Sequence, residues 1–193
     1  MDNRGLLLKQ FFKNPTRIGA LCPSGEALCR EMVAEIGMEQ ASTVAELGPG
    51  TGVITREILR TMPDGGTFFA VELDDEIFRN FQAVFPNVTV FNESAENLTE
   101  LMAQQHLRQL DAVISGLPWA AFPAALQNRI LDAVLENLKS GGYFTTFAYL
   151  QGLLLPAGVR FRRLLHSRFP EVRMSRVVWR NLPPAVVYRC QKA

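Results

Sequence analysis

Cysteine and histidine are scarce in this chain of 193 residues, with three of the first and two of the second. Cys22, Cys29 and Cys190 are odd in number and form no C-x-x-C pair, which argues against a zinc ribbon and a disulfide framework and fits a reducing, cytoplasmic setting. No metal site is expected. Also missing is any apolar run near the roughly 20 residues that a membrane-spanning helix needs. Lys9 and Gln10 interrupt the apolar residues Leu6 to Leu8 and Phe11 to Phe12, so no signal-peptide core is expected. Net charge is nearly absent, at +1, yet the charges are segregated. Residues 1 to 17 and 156 to 193 hold thirteen Lys/Arg against Asp2 and Glu171, whereas residues 18 to 155 hold seven basic and seventeen acidic side chains. This asymmetry aims the two ends at something anionic, a membrane surface or a nucleic acid. Scatter of the arginines over unrelated faces is the plainer alternative.

At 48% hydrophobic and 20% charged, the chain is long enough to bury one substantial core, so residues 1 to 193 read as a single domain. Residues 1 to 30 read as an N-terminal helical extension, a membrane or substrate lid. From Thr43 onward, β-branched and aromatic runs alternate with helical patterns, which implies a parallel sheet with crossover helices. Strands are expected near 43 to 48, 67 to 73, 88 to 93, 110 to 115 and 142 to 149, with helices near 52 to 62, 75 to 85, 97 to 107 and 122 to 139. Turn signals punctuate them at Pro63-Asp64-Gly65-Gly66, Pro86-Asn87 and Gly141-Gly142. Two further runs, 172 to 181 and 185 to 191, are expected to pair as a hairpin around Leu182-Pro183-Pro184. The expected fold class is α/β, with a Rossmann-like, seven-stranded, mostly parallel sheet and a C-terminal antiparallel hairpin.

Directly after the first strand comes Gly48-Pro49-Gly50-Thr51-Gly52, followed by a helical pattern. Glycines at this place let a tight turn bring bare backbone against a ligand at a helix N-terminus. The spacing is G-x-G-x-G, and Val53 stands where a dinucleotide site wants its third small residue. Glu46 places a carboxylate where a pyrophosphate is repelled and a cation welcomed. S-adenosylmethionine, which carries a sulfonium and an ammonium, is the expected cofactor. Glu72, twenty residues after Gly52 at the end of the second strand, suits the ribose hydroxyls. Ser94 and Ala95, at the end of the third, lie where the adenine should rest, although a plain helix N-cap accounts for Ser94 nearly as well. The pattern thus matches an S-adenosylmethionine-dependent methyltransferase, with Glu46, Gly48, Pro49, Gly50, Gly52, Glu72, Ser94, Ala95 and Ser115 as cofactor-binding candidates.

After the fourth strand runs Ser115-Gly116-Leu117-Pro118-Trp119, and ligands of open α/β sheets bind outside the strand carboxyl ends. The segment resembles the Asn-Leu-Pro-Tyr of ribosomal RNA adenine dimethyltransferases. Gly116 replaces the Asn that would accept from adenine, and Ser94 replaces their usual Asp, so nucleic acid is disfavoured as substrate. Three segments resemble bacterial phospholipid N-methyltransferases, which methylate phosphatidylethanolamine: residues 14 to 24 (NPTRIGALCPS), 115 to 118 (SGLP) and 179 to 185 (WRNLPPA). Ornithine-lipid N-methyltransferases look similar. The resemblance implies a lipid-amine acceptor, with Gly116, Leu117 and Pro118 lining its site. An aromatic face can hold the resulting cation, and Trp119 and Tyr149 are the candidates for acceptor positioning. Packing beneath the loop is the alternative for Trp119. Arg17 is a candidate for the lipid phosphate, or else one of the solvated basic residues. His106 and His166 read as structural or surface residues. A nucleic-acid methyltransferase and a non-catalytic cofactor-binding protein stay open as other classes.

The expected partners are a phospholipid substrate and an anionic membrane surface, with the protein peripheral on its cytoplasmic face. On a helix, Leu7, Leu8, Phe11 and Phe12 fall within an arc of about 140°, with Lys9 and Lys13 opposite, the pattern of an interfacial helix. A second amphipathic helix is expected near 157 to 169. Its Phe161, Leu164, Leu165 and Phe169 face one side, and packing on the sheet is the favoured reading of that stripe.

Overall fold

The computed structural model describes residues 25–193. Its first element, α1 (Glu26–Val33), buries Leu28, Cys29, Met32 and Val33 at helical spacing and carries Glu26 in its first turn and Arg30 in its last, matching the helix dipole. The extension drawn to residue 30 is therefore too long. From residue 26 the chain belongs to the core, because this apolar stripe is covered by the sheet. The interfacial helix expected over residues 6 to 12 and Arg17 lie outside the described residues.

Next come β1 (Thr43–Leu47), α2 (Val53–Thr61), β2 (Thr67–Val71), α3 (Asp75–Val84) and β3 (Thr89–Phe91), then α4 (Leu98–Gln104) and β4 (Leu110–Ser115). The chain ends with α5 (Ala124–Asn137), β5 (Leu138–Tyr149), α6 (Pro156–Arg168), β6 (Glu171–Met174) and β7 (Ala185–Gln191). The seven strands lie in the order β3-β2-β1-β4-β5-β7-β6. All neighbours from β3 to β5 are parallel, and β7 runs antiparallel between β5 and β6. This is the expected sheet and hairpin.

Three boundaries differ from expectation. The helix after β3 opens with a 3-10 turn, Ala95–Asn97, and ends at Gln104. β5 starts four residues early, with a register irregularity between Leu110 and Ala112 on its partner. The run 172 to 181 yields only a four-residue strand, because past Met174 its pairing with β7 slips by one residue and resumes only as a single bridge between Val178 and Ala185, after which residues 179 to 184 loop back to β7.

Alternation along the strands sorts side chains into two cores. Leu47, Phe69, Val113, Phe144 and Tyr188 pack beneath α4, α5 and α6. Val44, Ala112, Ile114 and Val187 pack beneath α1 and α2. On this second face Arg189, 4% exposed, reaches from β7 to α1, donating to the Glu31 carboxylate at 2.6 Å and to the Ala34 carbonyl at 2.7 Å. A buried guanidinium is tolerated because its donors are matched. It ties the sequence-distant ends of the described chain together.

Candidate cofactor and acceptor site

All of β1 to β5 end at one edge of the sheet, and the glycine turn, Glu72, Ser94, Ala95 and the 116–118 loop gather there. The turn is closed by the Gly52 N–H donating to the Pro49 carbonyl at 2.9 Å, and α2 starts from it. Gly50 sits at φ +56°, with nothing within 4 Å of where a side chain would project. A side chain is disfavoured there by conformation, and the backbone faces open space. Gly116 is glycine for the opposite reason. A β-carbon on it would lie 2.5 Å from the Gly48 carbonyl oxygen, so the acceptor loop and the glycine turn are in backbone contact. The Gly116 N–H donates to the Leu47 carbonyl at 2.9 Å, and the Leu117 side chain covers Gly48.

Two carboxylates flank the turn. Glu46 is fully buried on the α2 side of β1. Its Oε2 accepts from the Thr55 hydroxyl at 2.6 Å, and its Oε1 has no hydrogen-bond partner. Burial, with Glu72 as a second negative charge, pushes its pKa up to about 8 even though the Thr55 bond opposes this. Glu72 is buried as well, and its Oε1 accepts from the Asp74 N–H at 3.0 Å. Burial raises its pKa, and the backbone N–H groups of Asp74 and Gly50 hold it down in part. Asn92 braces this corner by donating to the Glu72 and Leu73 carbonyls at 3.0 and 3.2 Å. A recess beside Glu72 is lined by Val71, Leu73, Ser94, Ala95, Leu117 and Ile130. The Ser94 hydroxyl donates to Glu96 at 3.3 Å, and no helix-capping bond is formed by it.

The acceptor side departs from expectation at Trp119. Its ring is 2% exposed, stacked on Phe161 at 5.1 Å and edge-on to Phe144 at 5.6 Å, and its indole N–H donates to the Ser115 hydroxyl at 2.9 Å. The open cation-holding face expected of Trp119 is corrected. The residue packs beneath the loop because a large ring gains more from burial among Phe161, Phe144 and Phe122 than from solvent. Ser115 is likewise turned inward, fully buried, accepting from Trp119 and from the Leu117 N–H at 3.3 Å. Gln127 fastens the same turn by donating to the Trp119 carbonyl at 2.6 Å. Tyr149 ends β5 at the site edge, half-buried and edge-on to Phe147.

Three contributors have no local sequence signal. Thr55 is read only as one more residue of an amphipathic helix, Asn92 as a turn residue, and Phe85 as the aromatic that caps the end of α3. In space Phe85 seals the outer side of the turn: a side chain at position 52 would strike its ring, and the Arg56 guanidinium stands 5.5 Å from its centroid.

No family model matches the chain. It is 33% identical over 189 residues to the ornithine lipid N-methyltransferase of Singulisphaera acidiphila, covering 96% of this chain and 94% of that protein. The chain belongs to that protein's family of S-adenosylmethionine-dependent methyltransferases. A ribosomal RNA small subunit methyltransferase A of Hydrogenobaculum is 31% identical over 103 residues, which are 53% of this methyltransferase and 38% of that protein. Among solved structures, the O-methyltransferase of Bacillus cereus in complex with S-adenosylhomocysteine superposes with a TM-score of 0.67 at 13% identity, covering 99% of this chain and 92% of that one, a likeness of fold. The site of the methyltransferase fits its cofactor. An orphaned buried carboxylate oxygen, a bare glycine turn and an apolar recess beside a second carboxylate match a ligand that is cationic, hydroxylated and aromatic at different points.

Proposed function

We propose that this methyltransferase methylates the primary amine of a membrane amino-lipid, with an ornithine lipid as the acceptor to test first. The observation that carries the reading is the 33% identity to the ornithine lipid enzyme over nearly the whole of both chains. The 14 to 24, 115 to 118 and 179 to 185 segments favour phosphatidylethanolamine as the second acceptor. When bound, S-adenosylmethionine supplies an electrophilic methyl group on a sulfonium. Glu72 would hold the ribose hydroxyls, Gly48, Pro49, Gly50 and Gly52 would present backbone to the amino-acid part, Glu46 would balance its positive charge by losing its proton when the cation arrives, and Ser94 and Ala95 would border the adenine.

The backbone contact between Gly116 and Gly48 then has a direct use. With the two turns in contact, the Gly116 and Leu117 main chain would border the methyl donor and would help to orient an incoming amine for attack. Proximity of this kind supplies much of the rate when the leaving group is already good. Ser115 acts as a positioning residue by holding Leu117 and Trp119, Pro118 turns the loop, and Tyr149 edges the amine's entrance. An alkyl ammonium has a pKa of about 10, so one proton must leave before attack. His106 follows α4 and His166 lies on α6, neither in a strand-end loop, which leaves that proton to water or to an anionic group of the lipid. Residues 1 to 193 work as one domain at the cytoplasmic membrane face, and Arg17 is the candidate partner for an anionic group of the lipid.

The test is transfer of labelled methyl from S-adenosylmethionine to mixed micelles of detergent with either ornithine lipid or phosphatidylethanolamine, and to undermodified ribosomal RNA. Label in lipid extracted into organic solvent is the expected result. Label in RNA alone overturns the reading.

A further inference from the structure

Among the described residues, four of the seven exposed large apolar side chains stand in two loops of one sheet edge: Leu154 (89% exposed), Leu155 (57%), Trp179 (71%) and Leu182 (76%). One loop leaves the carboxyl end of β5 and the other enters the amino end of the antiparallel β7, so both stand at the edge that carries the glycine turn and Gly116. They are tied together where they meet the sheet, the Leu150 N–H donating to the Pro184 carbonyl at 2.8 Å.

Both loops are braced from within. In the first, Leu153 and Leu155 donate back to Leu150 and Gly152 at 3.2 Å, and the Gly152 carbonyl lies so close to Gly158 that a β-carbon there would be 2.2 Å away. In the second, Asn181 is 3% exposed, donates to the Pro183 carbonyl at 2.6 Å and accepts from the Gly25 N–H at 2.8 Å. With Asn181 turned in, its neighbours Trp179, Arg180 and Leu182 are turned out. These apolar side chains are presented to solvent although the loops that carry them are firmly braced, and burying them against another apolar phase would be favourable. Exposed Arg176 and Arg180 flank Trp179, Arg160, Arg162 and Arg163 follow Leu155 on α6, and the nearest acid in sequence, Glu171, is paired with Arg173.

We propose that Leu154, Leu155, Trp179 and Leu182 form a rim that dips into the interface of an anionic bilayer, with Arg176, Arg180 and the α6 arginines on the headgroups. Apolar side chains ringed by arginine, with a tryptophan at the margin, match the layered chemistry of a membrane surface. An RNA surface would match the arginines but leave the leucines without a partner. The Gly25 to Asn181 bond fixes the start of α1 to the inner side of the Trp179 loop. The inference rests on the lipid-amine reading only for its purpose; the rim seats the site's open edge on the bilayer that holds the acceptor.

The chain has two tryptophans, and Trp119 is buried, so full-length protein reports on the rim by its own fluorescence. Vesicles containing phosphatidylglycerol should blue-shift the emission and brominated lipid should quench it, whereas vesicles of phosphatidylcholine alone should do neither. Trp179→Phe should abolish both changes, and Leu154→Asp with Leu182→Asp should weaken vesicle partition about tenfold or more. No shift in the wild type, a shift that persists in Trp179→Phe, undiminished partition of the double variant, or a response to ribosomal RNA and not to vesicles each overturns the rim. Methyl transfer in detergent micelles needs no bilayer docking. Activity there without vesicle binding sinks the rim alone, and binding without lipid methylation sinks the acceptor reading alone.

Discussion

Where β1 to β3 end, the sheet edge presents backbone and buried carboxylates; where β4 to β7 meet the same edge, it presents packed aromatics below and exposed leucines above. In the first half the turn is bare at Gly50, and two buried carboxyls, Glu46 and Glu72, sit under it, one oxygen of Glu46 without a partner. In the second, Ser115, Trp119 and Gln127 satisfy one another, and the loop they hold offers mainly main-chain groups. A polar ligand of fixed shape can be recognised by groups held unsatisfied for it. A flexible lipid amine needs a firm floor and a way in from the bilayer.

The sharpest way to break this contrast is at Trp119. Trp119→Ala should remove the stack on Phe161 and destabilise the protein by about 3 to 5 kcal/mol in urea denaturation, with cofactor affinity of the folded fraction little changed. Lost activity at full stability would instead put the ring in the acceptor's path.

Glu46→Gln tests the other half. A folded-state pKa near 8 against 4.5 unfolded means that the folded carboxyl keeps its proton while the unfolded one loses it, so the wild type sheds stability as pH rises from about 4.5 to about 8. The glutamine variant, which keeps an acceptor for Thr55 and cannot ionise, should lose none of this. At pH 9 it should be more stable than the wild type by on the order of 2 to 4 kcal/mol, and equal to it at pH 4. Parallel pH profiles of melting temperature would show Glu46 to be ionised in the free protein.

Glu72→Ala should weaken S-adenosylmethionine by about 1.5 to 3 kcal/mol in calorimetry, the worth of a charge-assisted acceptor. Unchanged affinity would remove Glu72 from the site. The smallest stability effect is expected at Gly50→Ala, about 1 kcal/mol from the positive φ alone, because nothing there is struck; cofactor binding should fall by more than stability does. Equal losses would mean that the turn packs against protein rather than ligand.

Much of the first half was legible because its signals are local. Gly48 to Gly52 sits between a β-branched run and an amphipathic helix, and Glu72 ends the next strand, so linear order alone lines them up at one edge. Trp119 shows why the second half was harder. Its environment comes from Phe144, Phe161 and Phe122 on three different segments, and no spacing rule tells a cation-holding ring from a buried one. α1 hid for a related reason: eight residues with a short apolar stripe look like the tail of an extension until Arg189, more than 150 residues away, closes on Glu31.

The sequence by itself determined the alternation of strands and helices, the cofactor class and the gathering of charge at the chain ends, since each depends on residues within a turn or two of one another or on composition. Tertiary structure alone decided which side of each residue is covered. It buried Trp119 and Ser115, left one oxygen of Glu46 without a partner, pressed Gly116 onto Gly48, and turned Leu154, Trp179 and Leu182 outward around a buried Asn181. Those outcomes depend on how distant segments fill or leave space in three dimensions, and burial is what sets whether a ring packs, a carboxylate ionises or a leucine seeks another surface.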